Sequence, residues 1–243
     1  MAGAFAWGVL AASSLVAGAA VALWFRIGLR WIGLIMGFGA GALLSAVAFD
    51  LVEEAVGKAS GHRAVLAGIF VGCGAFFGGD LLIDRAGGSK RKSPREQKTD
   101  GSALAIVLGT VLDGIPESLV IGLALYESGA VGASYLAAVV ISNFPEALSS
   151  TSGLAASGWR PRRIVAMWTL ITIASGAASV VGYVGFRHAS PDVVAFVLAF
   201  AAGAILTMLA DTMMPEAYEY GGKLVGVVTT LGFAVALVID QLD

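Results

Sequence analysis

The feature that most constrains this chain is a succession of apolar stretches, each about the 20 residues that a helix needs to cross a bilayer. They fall at roughly 4–25, 31–56, 63–83, 102–126, 131–157, 161–186, 191–219 and 223–240. Of the 243 residues 58% are hydrophobic and 13% charged, whereas soluble domains run nearer half and a quarter. The 33 glycines point to helices packed closely in lipid. The expected fold is all-α: a polytopic membrane protein of eight transmembrane helices, forming one domain over residues 1–243. The long polar segment at about 84–101, "DRAGGSKRKSPREQKTDG", reads as a basic loop. The opening "MAGAFAWGVL" has no positive n-region and reads as the start of a permanent first helix.

The charges test this count. Lys and Arg in the successive connections number two, two, six, none, three, one and one. With eight spans, alternate connections share a side, so one side carries twelve and the other three. The positive-inside rule puts the richer side in the cytoplasm. Both termini are then extracytoplasmic, in a multi-pass protein of the cell membrane. Seven spans would break the segregation.

Span 2 aligns with span 7 without gaps at an offset of 162 residues, "FGAGALLSAVAFDLVEEA" (38–55) over "FAAGAILTMLADTMMPEA" (200–217), with eight identities in eighteen positions. Spans 4 and 5 also align around Pro-Glu-x-Leu, at an offset of 29. Because span 2 and span 7 run in opposite directions, spans 1–3 relate to 6–8, and 4 to 5, as an inverted repeat. Such repeats favour alternating access around a site near the midplane.

Two of these apolar runs keep carboxylates. Span 4 contains "DGIPES" (113–118) and span 5 "SNFPEA" (142–147). Asp113 and Glu117 lie about 16–22 Å along span 4 at 1.5 Å per residue, and Ser142, Asn143 and Glu146 reach a similar depth from the other side. Residues at i and i+4 share a helix face, which pairs Asp113 with Glu117 and Ser142 with Glu146. Each proline deprives the carbonyl four residues earlier of its helix hydrogen bond, freeing those of Leu112 and Ile141. An ionised carboxylate at such depth costs several kcal/mol, and a divalent cation shared between Glu117 and Glu146 would offset that cost. The bland alternative is a pair of kinks with protonated glutamates bonded inside the bundle. The candidate metal ligands are therefore Asp113, Glu117, Ser142, Asn143 and Glu146. Asp50, Glu53 and Glu54 near one end of span 2, and Asp211 and Glu216 near one end of span 7, are candidate pathway residues. Asp80, Asp84 and Asp240, close to helix ends, read as solvated. One cysteine, Cys73, and two histidines, His62 and His188, rule out an internal disulfide, a thiolate cluster or a multi-histidine site.

At these residues the chain resembles the ZIP family of zinc- and iron-regulated-type metal transporters, in a prokaryotic-type, histidine-poor version. That family carries His-Asn-x-Pro-Glu-Gly in span 4 and a related His/Gln-Asn/Asp-x-Pro-Glu-Gly in span 5. Its span 2 pattern appears here as "DLVEEA" (50–55) and its span 7 pattern as "MPEA" (214–217). The resemblance implies eight helices, a variable cytoplasmic loop between spans 3 and 4, and import of zinc, iron or manganese into the cytoplasm. Here the metal-binding histidine of span 4 is Asp113, the following asparagine position is Gly114, and the span 5 histidine or glutamine position is Ser142. The acidic ligand of span 6 falls at Ser175. The ligands for one metal are thus present and several for a second are missing.

The expected function is transport of a divalent metal cation, which is substrate and not prosthetic group. The expected partners are that cation, the lipid bilayer and, in a homodimer, a second copy, with no nucleic acid. Two other readings stay open: an intramembrane enzyme of the lipid phosphatase or protease type, and a non-transporting sensor derived from a transporter. The enzyme reading lacks its residues, since neither HExxH nor GxSxG occurs.

Overall fold

The computed structural model describes residues 1–25, 27–85 and 100–242, with side chains from residue 106 in the last segment. The central part of the basic loop expected at 84–101 lies outside the described residues. Among the described residues the chain is all helix. We number the helices α1 (Ala2–Trp24), α2 (Leu29–Lys58), α3 (His62–Ile83), α4 (Asp100–Ser128), α5 (Ala133–Ala156), α6 (Pro161–Gly185), α7 (Pro191–Gly221) and α8 (Leu224–Asp240). Their ends fall within about two residues of the apolar stretches, since the length of an apolar run is a local property. Gly129, Gly158 and Gly222 adopt positive φ in the turns that follow α4, α5 and α7, a conformation that a side chain would oppose.

This is a multi-pass membrane protein. Among the described residues six helices, α1, α2, α3, α4, α6 and α7, are long and apolar enough to cross a bilayer. The other two differ for physical reasons. α5 is diluted by Ser142, Asn143, Glu146 and the run Ser149–Ser152, and most of these polar side chains are buried. α8 is apolar but only 17 residues long, about 25 Å.

α2 and α7 are not regular throughout. α2 is π-helical over Val47–Glu53 and α7 over Leu209–Met213. The two segments begin 162 residues apart, the offset of the sequence match. In α7, Pro215 has no N–H for the Asp211 carbonyl, which loosens the ladder at that turn.

Packing follows small residues. α3 lies along α7, α2 along α8 and α7, α1 along both α5 and α6, and α4 along α6. Where α3 meets α7, Gly72 lies against the Phe200 carbonyl and Gly203 against that of Ile69. Where α8 meets α2, Gly232 lies against the Phe38 carbonyl and Gly41 against that of Thr229. A Cβ at any of these four would collide with backbone, so only glycine permits the approach. Two buried side-chain bonds reinforce the α1–α5–α6 group: Trp168 Nε1 donates to Thr151 Oγ1 at 2.8 Å, and Thr172 Oγ1 to the Ala12 carbonyl at 3.1 Å.

Contacts between helix ends establish two faces of the bundle. Gly3 approaches Leu125, Lys58 meets Glu127, Ser60 meets Asp192, and Asp240 shares a cavity with Asp50 and Gly132. The N-terminal residues, the end of α8 and the α2–α3, α4–α5 and α6–α7 connections therefore share one face, called the terminal face below. At the opposite face, Leu23 and Trp24 meet Pro161 and Arg162, and Gly33 meets Gly221.

Candidate metal centre

The five candidate ligands are all buried. Asp113 is 3% exposed, Glu117 2%, Ser142 4%, Asn143 7% and Glu146 8%. α4 and α5 touch each other sparingly; α4 packs mainly on α6, and α5 on α1 and α2.

Two cross-helix bonds set the register between them. Thr110 Oγ1 of α4 donates to Glu146 Oε1 of α5 at 3.1 Å, inside the protein. Farther along, the Tyr135 hydroxyl of α5 reaches the Glu117 carbonyl at 3.4 Å. Numbers rise on one helix as they fall on the other, so the pairing is antiparallel. Asp113 follows Thr110 by three residues, about 4.5 Å along α4. Thr110, Asp113 and Glu117, spaced by three and four residues, run along one face of α4. The Ser142 hydroxyl donates to the Val139 carbonyl at 3.0 Å.

The Ile141 carbonyl, released by Pro145, turns toward α2, 3.1 Å from where a Cβ on Gly39 would stand. Among the described residues no group of three or more His, Cys, Asp or Glu side chains is gathered closely enough to hold a metal ion. What the structure joins is Glu146 of α5 to Thr110 of α4, with Asp113 and Glu117 three and seven residues farther along the same face of α4. The candidate donors are all oxygen, the set that suits manganese, magnesium and calcium better than imidazole or thiolate sites do.

The positions expected to build a second metal site do come together, without the ligands. A Cβ on Gly114 would stand 3.6 Å from Ser175 Oγ, so the span 6 alignment places Ser175 beside the α4 site. Neither residue offers a carboxylate or an imidazole.

The pathway candidates divide. Asp50 and Glu54 line a cavity of about 310 Å³ on the terminal face, together with Ser128, Tyr135 and Asp240. Glu53 is exposed and does not line it. Asp211 is exposed in an apolar groove of about 460 Å³ between α3 and α7, beside Cys73, away from the α4–α5 carboxylates. Glu216, the residue after Pro215, is half-buried. Asp240, the last residue of α8 and partly exposed, also lines the terminal-face cavity, because α8 runs back along α2 and brings its last turn near Asp50.

Three residues escaped the sequence. Thr110 precedes Asp113 by three positions and Tyr135 precedes Ser142 by seven, so helix periodicity placed both on the site faces. Asp240 had no such signal. A family model described as ZIP Zinc transporter matches residues 84–240, which takes in α4 to α8. No curated protein matches the chain.

Proposed function

The chain belongs to the ZIP zinc transporter family, whose members are transporters and not enzymes, and on that premise we propose that it carries a divalent metal cation into the cytoplasm. The cation crosses at a mid-membrane site whose ligands are Asp113, Glu117, Asn143 and Glu146, with Ser142 beside them. The observation that carries this reading is the buried bond between Thr110 and Glu146. It sets a carboxylate of α5 against the face of α4 that holds two more, in a region where an unshared charge costs several kcal/mol. A divalent cation is the species that several such oxygens would bind together, and zinc, manganese and ferrous iron all accept them.

The proposal takes the terminal face as extracytoplasmic, from the twelve-to-three distribution of Lys and Arg. It takes the motion as alternating access between eight spans related by an inverted repeat. Support for the repeat comes from the π-helical segments at equivalent positions of α2 and α7. The reciprocal glycine contacts support it too: exchanging α2 with α7 and α3 with α8 carries the Gly72–Phe200 contact onto Gly232–Phe38. One transported ion per site is expected, since Gly114 and Ser175 supply no charged ligand. The test is uptake into proteoliposomes with a panel of zinc, manganese and ferrous ions. Glu117→Gln and Glu146→Gln should each abolish uptake while leaving the protein folded in the membrane. Uptake by either variant at the wild-type rate sinks the reading.

A further inference from the structure

At the terminal face, two polar contacts join α2 to α4 and to α5. The Lys58 ammonium, at the end of α2, lies 2.7 Å from a Glu127 carboxylate oxygen near the end of α4, and 3.5 Å from Glu54. Deeper in, the Ser134 hydroxyl at the start of α5 donates to Asp50 of α2 at 2.6 Å. α2 packs on α7, α8 and α5, whereas α4 packs mainly on α6, so the Lys58–Glu127 pair joins two helices with little other packing between them, and the Ser134–Asp50 bond fastens the terminal end of the α2–α5 interface. Between them lies the cavity lined by Asp50, Glu54, Tyr135 and Asp240. Tyr135, 3% exposed, borders that cavity and reaches the Glu117 backbone beneath it.

We propose that the Lys58–Glu127 and Ser134–Asp50 contacts form a latch that holds the terminal face closed over the carboxylate site, and that both part when this face opens to admit a cation. The proposal rests on the transport reading above and adds the residues that regulate entry to its site. α2 cannot separate from α4 and α5 without breaking both contacts. Glu54 rides on the same helix turn as Lys58, so the ammonium keeps one carboxylate partner after Glu127 leaves, which lowers the cost of opening. The strengths suit a contact that breaks in every cycle. An exposed ion pair shifts an equilibrium by about fivefold at most. A buried hydrogen bond to a charged group shifts it by about tenfold or more.

The experiment reads opening directly. Ala138, fully buried on α5 one turn below Tyr135, is replaced by cysteine in a Cys73→Ser protein, and a membrane-impermeant thiol reagent is applied from the terminal side. Labelling should be slow in this parent. It should quicken about two- to fivefold with Lys58→Met or Glu127→Gln, and about tenfold with Ser134→Ala. Reversing the pair, Lys58→Glu with Glu127→Lys, should return the slow rate. A second parent carries its cysteine at Ala199, buried on α7, and should be unaffected by the same changes. Unchanged labelling in the single variants overturns the latch. So does a reversed pair as fast as the singles, or equal quickening at Ala199, which would mean general loosening. Labelling needs no transported ion. If it follows the latch pattern while wild-type uptake is absent, the transport reading falls and the closed face does not.

Discussion

Thr110→Val is the most pointed perturbation of the carboxylate site, because it removes one hydroxyl and nearly preserves shape. Thr110 is 3% exposed and donates to Glu146 Oε1 at 3.1 Å. Hydrogen bonds to charged groups contribute about 1.5–3 kcal/mol, and each 1.4 kcal/mol is about tenfold in an equilibrium constant. Without the donor, Glu146 loses the contact that orients it toward the face of Asp113 and Glu117, and that alignment must come from the cation's own binding energy. The KM for metal uptake in proteoliposomes should therefore rise about tenfold to a hundredfold. The maximal rate at saturating ion should fall far less, since a bound cation itself holds the carboxylate. Thr110→Ser keeps a donor at the same position and should restore a KM within a few-fold of wild type. A Thr110→Val protein with unchanged KM, at equal amount in the membrane, would refute the idea that Thr110 positions Glu146. A serine variant as poor as the valine one would assign the effect to packing instead.

Other outcomes follow from the same geometry. Metal-soaked crystals should show one anomalous peak between α4 and α5, and two adjacent fully occupied peaks would contradict a site that has only Gly114 and Ser175 at the second position. Asp113→His should raise the preference for zinc over manganese in a competition assay, because imidazole suits zinc; an unchanged ratio would remove Asp113 from the ligand set. Gly72→Ala should lower the melting temperature in detergent, since its Cβ meets the Phe200 carbonyl and overpacking costs about 1–3 kcal/mol. Gly74→Ala, on the same helix with nothing within 4 Å of an added Cβ, should melt no lower than wild type.

The helices and the polar faces of α4 and α5 could be read from the sequence because both depend on short-range rules. A run of apolar residues is as long as it is whatever it packs on, so the ends of α1 to α8 were found within a turn. Residues three and four apart share a face in any helix, so Asp113 with Glu117, and Ser142 with Glu146, were grouped before any fold was known. The two π-helical segments begin at the offset of the span 2–span 7 match, but no local rule marks either stretch as π-helical. What the sequence left open was how each helix is rotated and slid against its neighbours. Thr110 meets Glu146 across 36 positions, and Lys58 meets Glu127 across 69; no local period links such pairs. Pro145 denies the Ile141 carbonyl its helix partner, but the approach of that carbonyl to Gly39 depends on where α2 lies. That Asp240, at the end of α8, lines the cavity with Asp50 depends on α8 lying along α2. Close approach at Gly41 and Gly232 sets that placement, and backbone contacts between distant glycines exist only once the helices have packed.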